Sequence, residues 1–321
     1  MALSKISFLW LHIIPLVPSL MVTTFILYYL LKTRVLRTAL NNHVIILMLL
    51  FGLVLELTDT IWFIYFFRTG SALSLTHEFC LAWAYIDSSL FASVSLQMSW
   101  ATIERHIIIF HSNLFATKRK RFFFHYLPLF IVSVWPLIFY FVTLLILPCN
   151  LPFDYNRRLC GHYDCINLIE WIAIFDSIAH YMVPSFITLI FSITLFVRVL
   201  YHKCQIGQRI DWRNYKKMAL QLLSISLIYM VLDAPPTILN VAYLSGLSSN
   251  VASDYYNSML DLSLWIILFT PFACITSLPD LKAKCKNLIT FRRRTHAVRP
   301  AVIITTRRNP NQIITTARII H

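Results

Sequence analysis

The sequence is short of charge. Only 13% of its 321 residues are Asp, Glu, Lys or Arg, where soluble domains usually carry roughly 25%. Acids are the scarcer sign, 14 against 28 bases, for a formal net charge of +14. Common catalytic signatures are missing as well. There is no Gly-x-Ser-x-Gly, no His-Glu-x-x-His and no paired metal-ligand spacing among the 11 scattered histidines. These absences argue against an enzyme, a metal site or a bound cofactor. No internal repeat is visible, which weighs against the inverted-repeat transporters. No small-residue cleavage site follows the first apolar run, so that run is expected to be a retained helix, not a signal peptide.

What is present is hydrophobic: 58% of the chain. The charges are bunched, and between them lie seven apolar segments, at roughly 9–32, 43–67, 80–106, 123–147, 170–200, 216–244 and 256–278. Each reaches about 20 residues, the length that crosses a bilayer. Backbone groups in lipid must be satisfied within the segment, so the expected fold class is an all-α membrane protein, a bundle of seven transmembrane helices. Pro15, Pro18, Pro136, Pro184, Pro235, Pro236 and Pro271 fall inside these runs. Neighbouring helices can satisfy the carbonyls that such prolines free.

The bases are distributed unevenly. Of the 28 Lys and Arg, 24 fall in one alternate set of connections, including Lys118–Arg121 and the C-terminal tail. The other set holds only Lys5, Arg68, Arg157 and Arg158. The positive-inside rule then puts the N-terminus outside and the C-terminus in the cytosol. It also explains the net charge through the lipid bilayer, without nucleic acid as a partner. The expected organisation is a short outer N-terminus (1–8), a seven-helix domain (9–279), a short amphipathic juxtamembrane helix (280–290) and a basic, disordered cytosolic tail (291–321).

Cys80, Cys149, Cys160 and Cys165 fall on the outer, oxidising side, where disulfides form. Four cysteines allow three pairings. Cys80–Cys165 with a local Cys149–Cys160 is preferred here, and Cys80–Cys160 is the rival. Cys285, beside lysines at the inner membrane edge, is a candidate for S-palmitoylation.

The third segment organises the chain. It runs from Cys80 through Asp87 to Glu104-Arg105-His106, about 39 Å of helix. Its markers resemble those of the rhodopsin-like G-protein-coupled receptors, in which a cysteine tops helix 3 and an Asp/Glu-Arg-Tyr triplet ends it. Cys80 and Arg105 have the family's separation. Further markers follow in order: Trp135, Pro184, Pro235 within Leu-Asp-Ala-Pro, and Pro271 within Thr-Pro-Phe-Ala-Cys. The chain departs from the pattern where Asp233 replaces the helix 6 tryptophan and Thr270 and Cys274 replace the helix 7 asparagine and tyrosine. The acid usual in helix 2 would fall near Phe51 or Gly52.

The resemblance implies a plasma-membrane receptor that passes an extracellular signal to a heterotrimeric G protein. It implies that Arg105 pairs with Glu104 at rest, and that His106, Pro235 and Pro271 belong to the switch. It also implies that Asp87, Asp176 and Asp233 point into the ligand cavity. Six acids lie within the apolar segments: Glu56, Asp59, Asp87, Asp176, Asp233 and Asp261. An acid at a helix centre costs about 2.5–3.5 kcal/mol on insertion scales. These six are therefore expected to face a cavity or a partner, with His180 as the one buried base. An acidic cavity suits a cationic amine or basic peptide. The same acids are alternatively protonated and hydrogen-bonded to nearby Ser, Thr or Tyr. A transporter using intramembrane acids and a receptor-like protein that binds without signalling are the competing classes.

Overall fold

A computed structural model describes residues 5–147, 152–161, 164–206, 223–277, 302–309 and 312–319. It divides into two units, 1–277 and 278–321. In the first, six helices are long and apolar enough to cross a membrane: α1 (Ile6–Lys32), α2 (Leu40–Thr69), α3 (His77–Phe110), α4 (Lys118–Ile146), α5 (Glu170–Arg198) and α6 (Leu223–Leu244). The expected seventh span is a bent pair. Helices α7 (Ser253–Ser263) and α8 (Trp265–Ser277) meet at 42°.

The unit has an apolar core around Phe63, Trp83 and Tyr140, and it is apolar on the outside as well, where a soluble domain is polar. Trp10, Ile14, Val17 and Met21 of α1 are exposed, and so are Phe130, Trp135 and Ile138 of α4. The buried face of α3 instead carries Ser88, Ser89, Ser93, Ser95, Gln97, Ser99 and Thr102. Hydrocarbon solvates apolar side chains as well as a protein interior does, so small and polar residues gain most from facing another helix. Small side chains let helices approach closely. α3 accordingly packs against α2, α4 and α5. Gln97 Nε2 donates to Ser133 Oγ of α4 at 2.9 Å, and Ser93 Oγ donates to the Ser133 carbonyl at 3.3 Å.

Irregularities have local causes. Pro235 and Pro236 cannot donate to the preceding turn, and α6 breaks at Asp233. A π-type turn at Ser177–Met182 immediately precedes Val183-Pro184 in α5. α2 breaks at Thr58, with no proline nearby, where Thr58 Oγ1 donates to the Val54 carbonyl at 2.6 Å. Such back-bonding bends helices.

Cys80 is bonded to Cys160, with Cα atoms 5.7 Å apart. This corrects the preferred Cys80–Cys165 pairing and excludes Cys149–Cys160. The reason is the fold of the loop after α4. Leu159, Cys160 and Gly161 are all left-handed, at φ 50°, 53° and 68°, and this tight turn buries Cys160 completely beside Cys80. The turn is closed by Asp154 N–H donating to the Cys160 carbonyl at 3.0 Å, and Ala72 N–H anchors the loop through the Tyr155 carbonyl at 2.8 Å. Cys149, Cys285 and the juxtamembrane segment 280–290 lie outside the described residues, as does the side chain of Cys165.

The second unit, within the tail expected to be disordered, contains two strands. Strands β1 (Val302–Asn309) and β2 (Gln312–Ile319) form an antiparallel hairpin, with Thr305 opposite Thr316 and Thr306 opposite Thr315. Both strands carry an Ile-Ile-Thr-Thr run. β-branched residues favour extended backbone.

Candidate functional site

A cavity of about 830 Å³ opens between the Cys80 end of the bundle and the disulfide-held loop. Asp87 of α3, Asp233 at the α6 break and Asp261 of α7 stand on its wall, with Arg157 and Arg158 of the loop. Tyr181, Asn240 and Tyr256 add polar groups. Asn240 is held from two sides: its Nδ2 donates to Ser177 Oγ at 2.8 Å, and Tyr256 O–H donates to its Oδ1 at 3.2 Å. Ser185 Oγ donates to Asp233 Oδ2 at 2.9 Å.

Of the four residues expected to bind ligand, Asp87 and Asp233 line this cavity, and Asp176 and His180 do not. Asp176 and His180 are completely buried between α4 and α5 and are not on the cavity wall. Tyr140 O–H donates to Asp176 Oδ1 at 2.5 Å, and His180 Nδ1 meets the same oxygen at 2.7 Å. Trp135 Nε1–H donates to His180 Nε2 at 3.1 Å. An indole only donates, so the His180 proton sits on Nδ1 and points at Asp176. The π-type turn at Ser177–Met182 rotates this part of α5, which a regular helical projection does not anticipate. Tyr140→Phe is expected to cost about 1–3 kcal/mol, the usual effect of an unsatisfied buried acceptor. Thermal unfolding should register that loss.

The remaining buried acids have partners of their own. Glu56 Oε1 accepts from Ser19 and, at 3.4 Å, from Thr23 of α1. Asp59 Oδ1 accepts from Trp83 Nε1–H at 2.8 Å. Bonding to hydroxyls, the alternative considered for these acids, thus describes Glu56, Asp176 and Asp233.

At the opposite end of α3, Glu104 and Arg105 are buried. The partner shown for Glu104 is His125 of α4, through Nδ1. His125 Nε2 lies 2.8 Å from His43 Nδ1 of α2, and His43 Nε2 lies 2.9 Å from the Arg37 carbonyl. That carbonyl only accepts, so His43 Nε2 carries a proton, and a neutral His43 accepts at Nδ1 from His125. One proton is left between His125 and Glu104. The expected resting partner of Glu104 was Arg105, its neighbour in sequence. Successive helix positions point about 100° apart, which lets a residue of another helix take the contact. His106 Nε2 accepts from Arg198 Nη1 at 2.9 Å, tying α3 to α5, and the Arg198 guanidinium covers Phe110 at 5.0 Å. Pro271 sits within α8 and Pro235 beside the α6 break.

Arg158 and His125 were missed in the sequence. Each had a signal: Arg158 is one of four bases on the base-poor side, and His125 interrupts an aromatic run at the start of α4. Among the described residues, no three His, Cys, Asp or Glu side chains come together as a metal site. The chain matches no protein-family model and no curated protein.

Proposed function

We propose that this chain is a divergent rhodopsin-like G-protein-coupled receptor of the plasma membrane. In this reading an extracellular cationic ligand, an amine or basic peptide, enters the cavity and a heterotrimeric G protein is engaged at the opposite end. The observation that carries it is the double-ended character of α3. One helix puts Asp87 on the wall of a ligand-sized cavity and, about five turns away, buries Glu104 and Arg105 where α2, α4 and α5 converge. A ligand that favours one packing of the helices then shifts the equilibrium seen at the far end. Near that end Lys118–Arg121 forms an exposed basic turn, fixed by Arg121 Nε donating to the Phe115 carbonyl at 2.7 Å. It is a suitable surface for an acidic partner face. The loop between α5 and α6 lies mostly outside the described residues.

The test is nucleotide exchange on G proteins in membranes holding the full chain, with a panel of amines and basic peptides. Arg105→Ala is expected to abolish stimulated exchange. Asp87→Asn is expected to weaken cationic ligands about 10- to 100-fold, the worth of a charge-assisted bond. An unchanged cationic response in Asp87→Asn would remove that residue from ligand binding.

A carrier is the second reading, favoured by the Glu104–His125–His43 chain, a hydrogen-bonded path between buried and exposed groups. Proton or substrate flux into vesicles without nucleotide exchange would select it. Ligand binding with neither response would select a receptor-like binding protein.

A further inference from the structure

The cavity already contains a cation. Arg158 reaches into it from the loop, and its Nη1 lies 3.5 Å from Asp261 Oδ1 of α7. Its guanidinium carbon stands 4.7 Å from the centre of the Phe63 ring of α2, a cation–π distance. Asp59 of α2 and Asp87 of α3 also lie within its electrostatic reach. Asp261 is the carboxyl in ion-pair contact with the guanidinium, and Asp59 and Asp87 act on it from further off. Asp59 is completely buried and pairs with Asp87 side chain to side chain.

The loop is built to deliver this side chain. Arg158 is two residues from the Cys160 disulfide, and the left-handed turn begins at the next residue, Leu159. Left-handed backbone at a residue other than glycine is unfavourable and persists where surrounding contacts enforce it. Here the disulfide and the Asp154–Cys160 hydrogen bond enforce it.

We propose that Arg158 is a tethered occupant of the cavity's cation site, and that the ligand the site takes carries a guanidinium group that replaces it. This rests on the reading of the cavity as a cationic-ligand site and names the chemistry it selects. The Phe63 ring lies against the guanidinium face, and the Asp261 carboxylate meets its edge. A guanidinium meets that arrangement with a planar face and five N–H donors around its edge, where an ammonium is a compact charge with three. The tether holds the occupant at high local concentration, so a free ligand competes against its own group in cis.

The test is chemical rescue, read by thermal unfolding of the purified full chain. The probes are arginine amide and lysine amide, which have the same charge and similar length. Arg158→Ala is expected to unfold about 4 °C lower than wild type. Millimolar arginine amide should restore that loss, acting at about tenfold lower concentration than lysine amide, and wild type should respond far more weakly than the variant. Asp261→Asn in the same background should abolish the rescue. If Arg158→Ala does not fold, Arg158→Lys, which keeps the charge but not the planar fork, should show the same preference for arginine amide. Equal effects of the two amides, an Arg158→Ala variant as stable as wild type and unresponsive, or a rescue that survives Asp261→Asn would each overturn the proposal. Nucleotide exchange is scored separately. Rescue without exchange keeps the guanidinium site while the receptor reading fails. Amine-stimulated exchange through Asp87 without rescue keeps the receptor reading and overturns the tethered occupant.

Discussion

His125→Leu is expected to destabilise the protein by about 1–3 kcal/mol, the cost of leaving the buried Glu104 carboxyl without its hydrogen-bond partner. Glu104 is only 1% exposed and His125 is completely buried, so neither has water to replace its partner. The double variant His125→Leu with Glu104→Leu should recover most of that loss, because apolar side chains of similar shape leave no orphaned polar group. His43 loses a donor in both variants, but it is half-buried and can turn to solvent. Thermal unfolding of the four members of this cycle measures the coupling. If the single and double variants are equally unstable, the Glu104–His125 contact contributes nothing beyond the packing of His125. Under the receptor reading there is a second readout. Freeing Glu104 from α4 should change basal nucleotide exchange, since the contact holds α3 and α4 in one of two packings.

Cys160→Ser and Cys80→Ser are each expected to cost about 4 kcal/mol in the chain-entropy account of disulfides. The bond closes a loop with a sequence separation of 80. The two single variants and their combination should be equally unstable, because any one of them removes the whole bond. Cys165→Ser should leave the bond and the unfolding temperature unchanged. Peptide mapping without reduction reads the pairing directly, and a Cys80–Cys165 peptide would refute the bond described here. Loss of the bond also releases Arg158, so Cys160→Ser should gain sensitivity to arginine amide, as Arg158→Ala does.

These expectations separate what a linear pattern carries from what it does not. The polar face of α3 is written as Ser, Ala and Thr among larger apolar residues, and the structure buries that face. Asp87 was assigned to a cavity from its place in α3, and it lines one. Asp176 was assigned by the same logic and does not. A π-type turn intervenes, and the apolar run shows no break where helical phase is lost. The repeated β-branched runs of the tail suit the hairpin they form. The seventh segment breaks at Leu264, where the polar Ser253–Ser263 helix gives way to the apolar Trp265–Ser277 helix at 42°, with no proline at the bend.

The sequence by itself determined the number and length of the apolar runs, their helical character and the crowding of bases into alternate connections. These properties are local: hydropathy, backbone satisfaction in lipid and charge are each set within about 20 consecutive residues. Only the tertiary structure decided that Cys160 meets Cys80, that His125 meets Glu104 and that Arg158 meets Asp261, 103 residues away. Those contacts depend on how each helix is rotated about its axis and on the path of one tight left-handed loop. Helices apolar around most of their surface carry little record of that rotation, because lipid and protein neighbours are almost equally good solvents for the same side chains. The few buried polar groups decide it, through partners that lie far away in the chain.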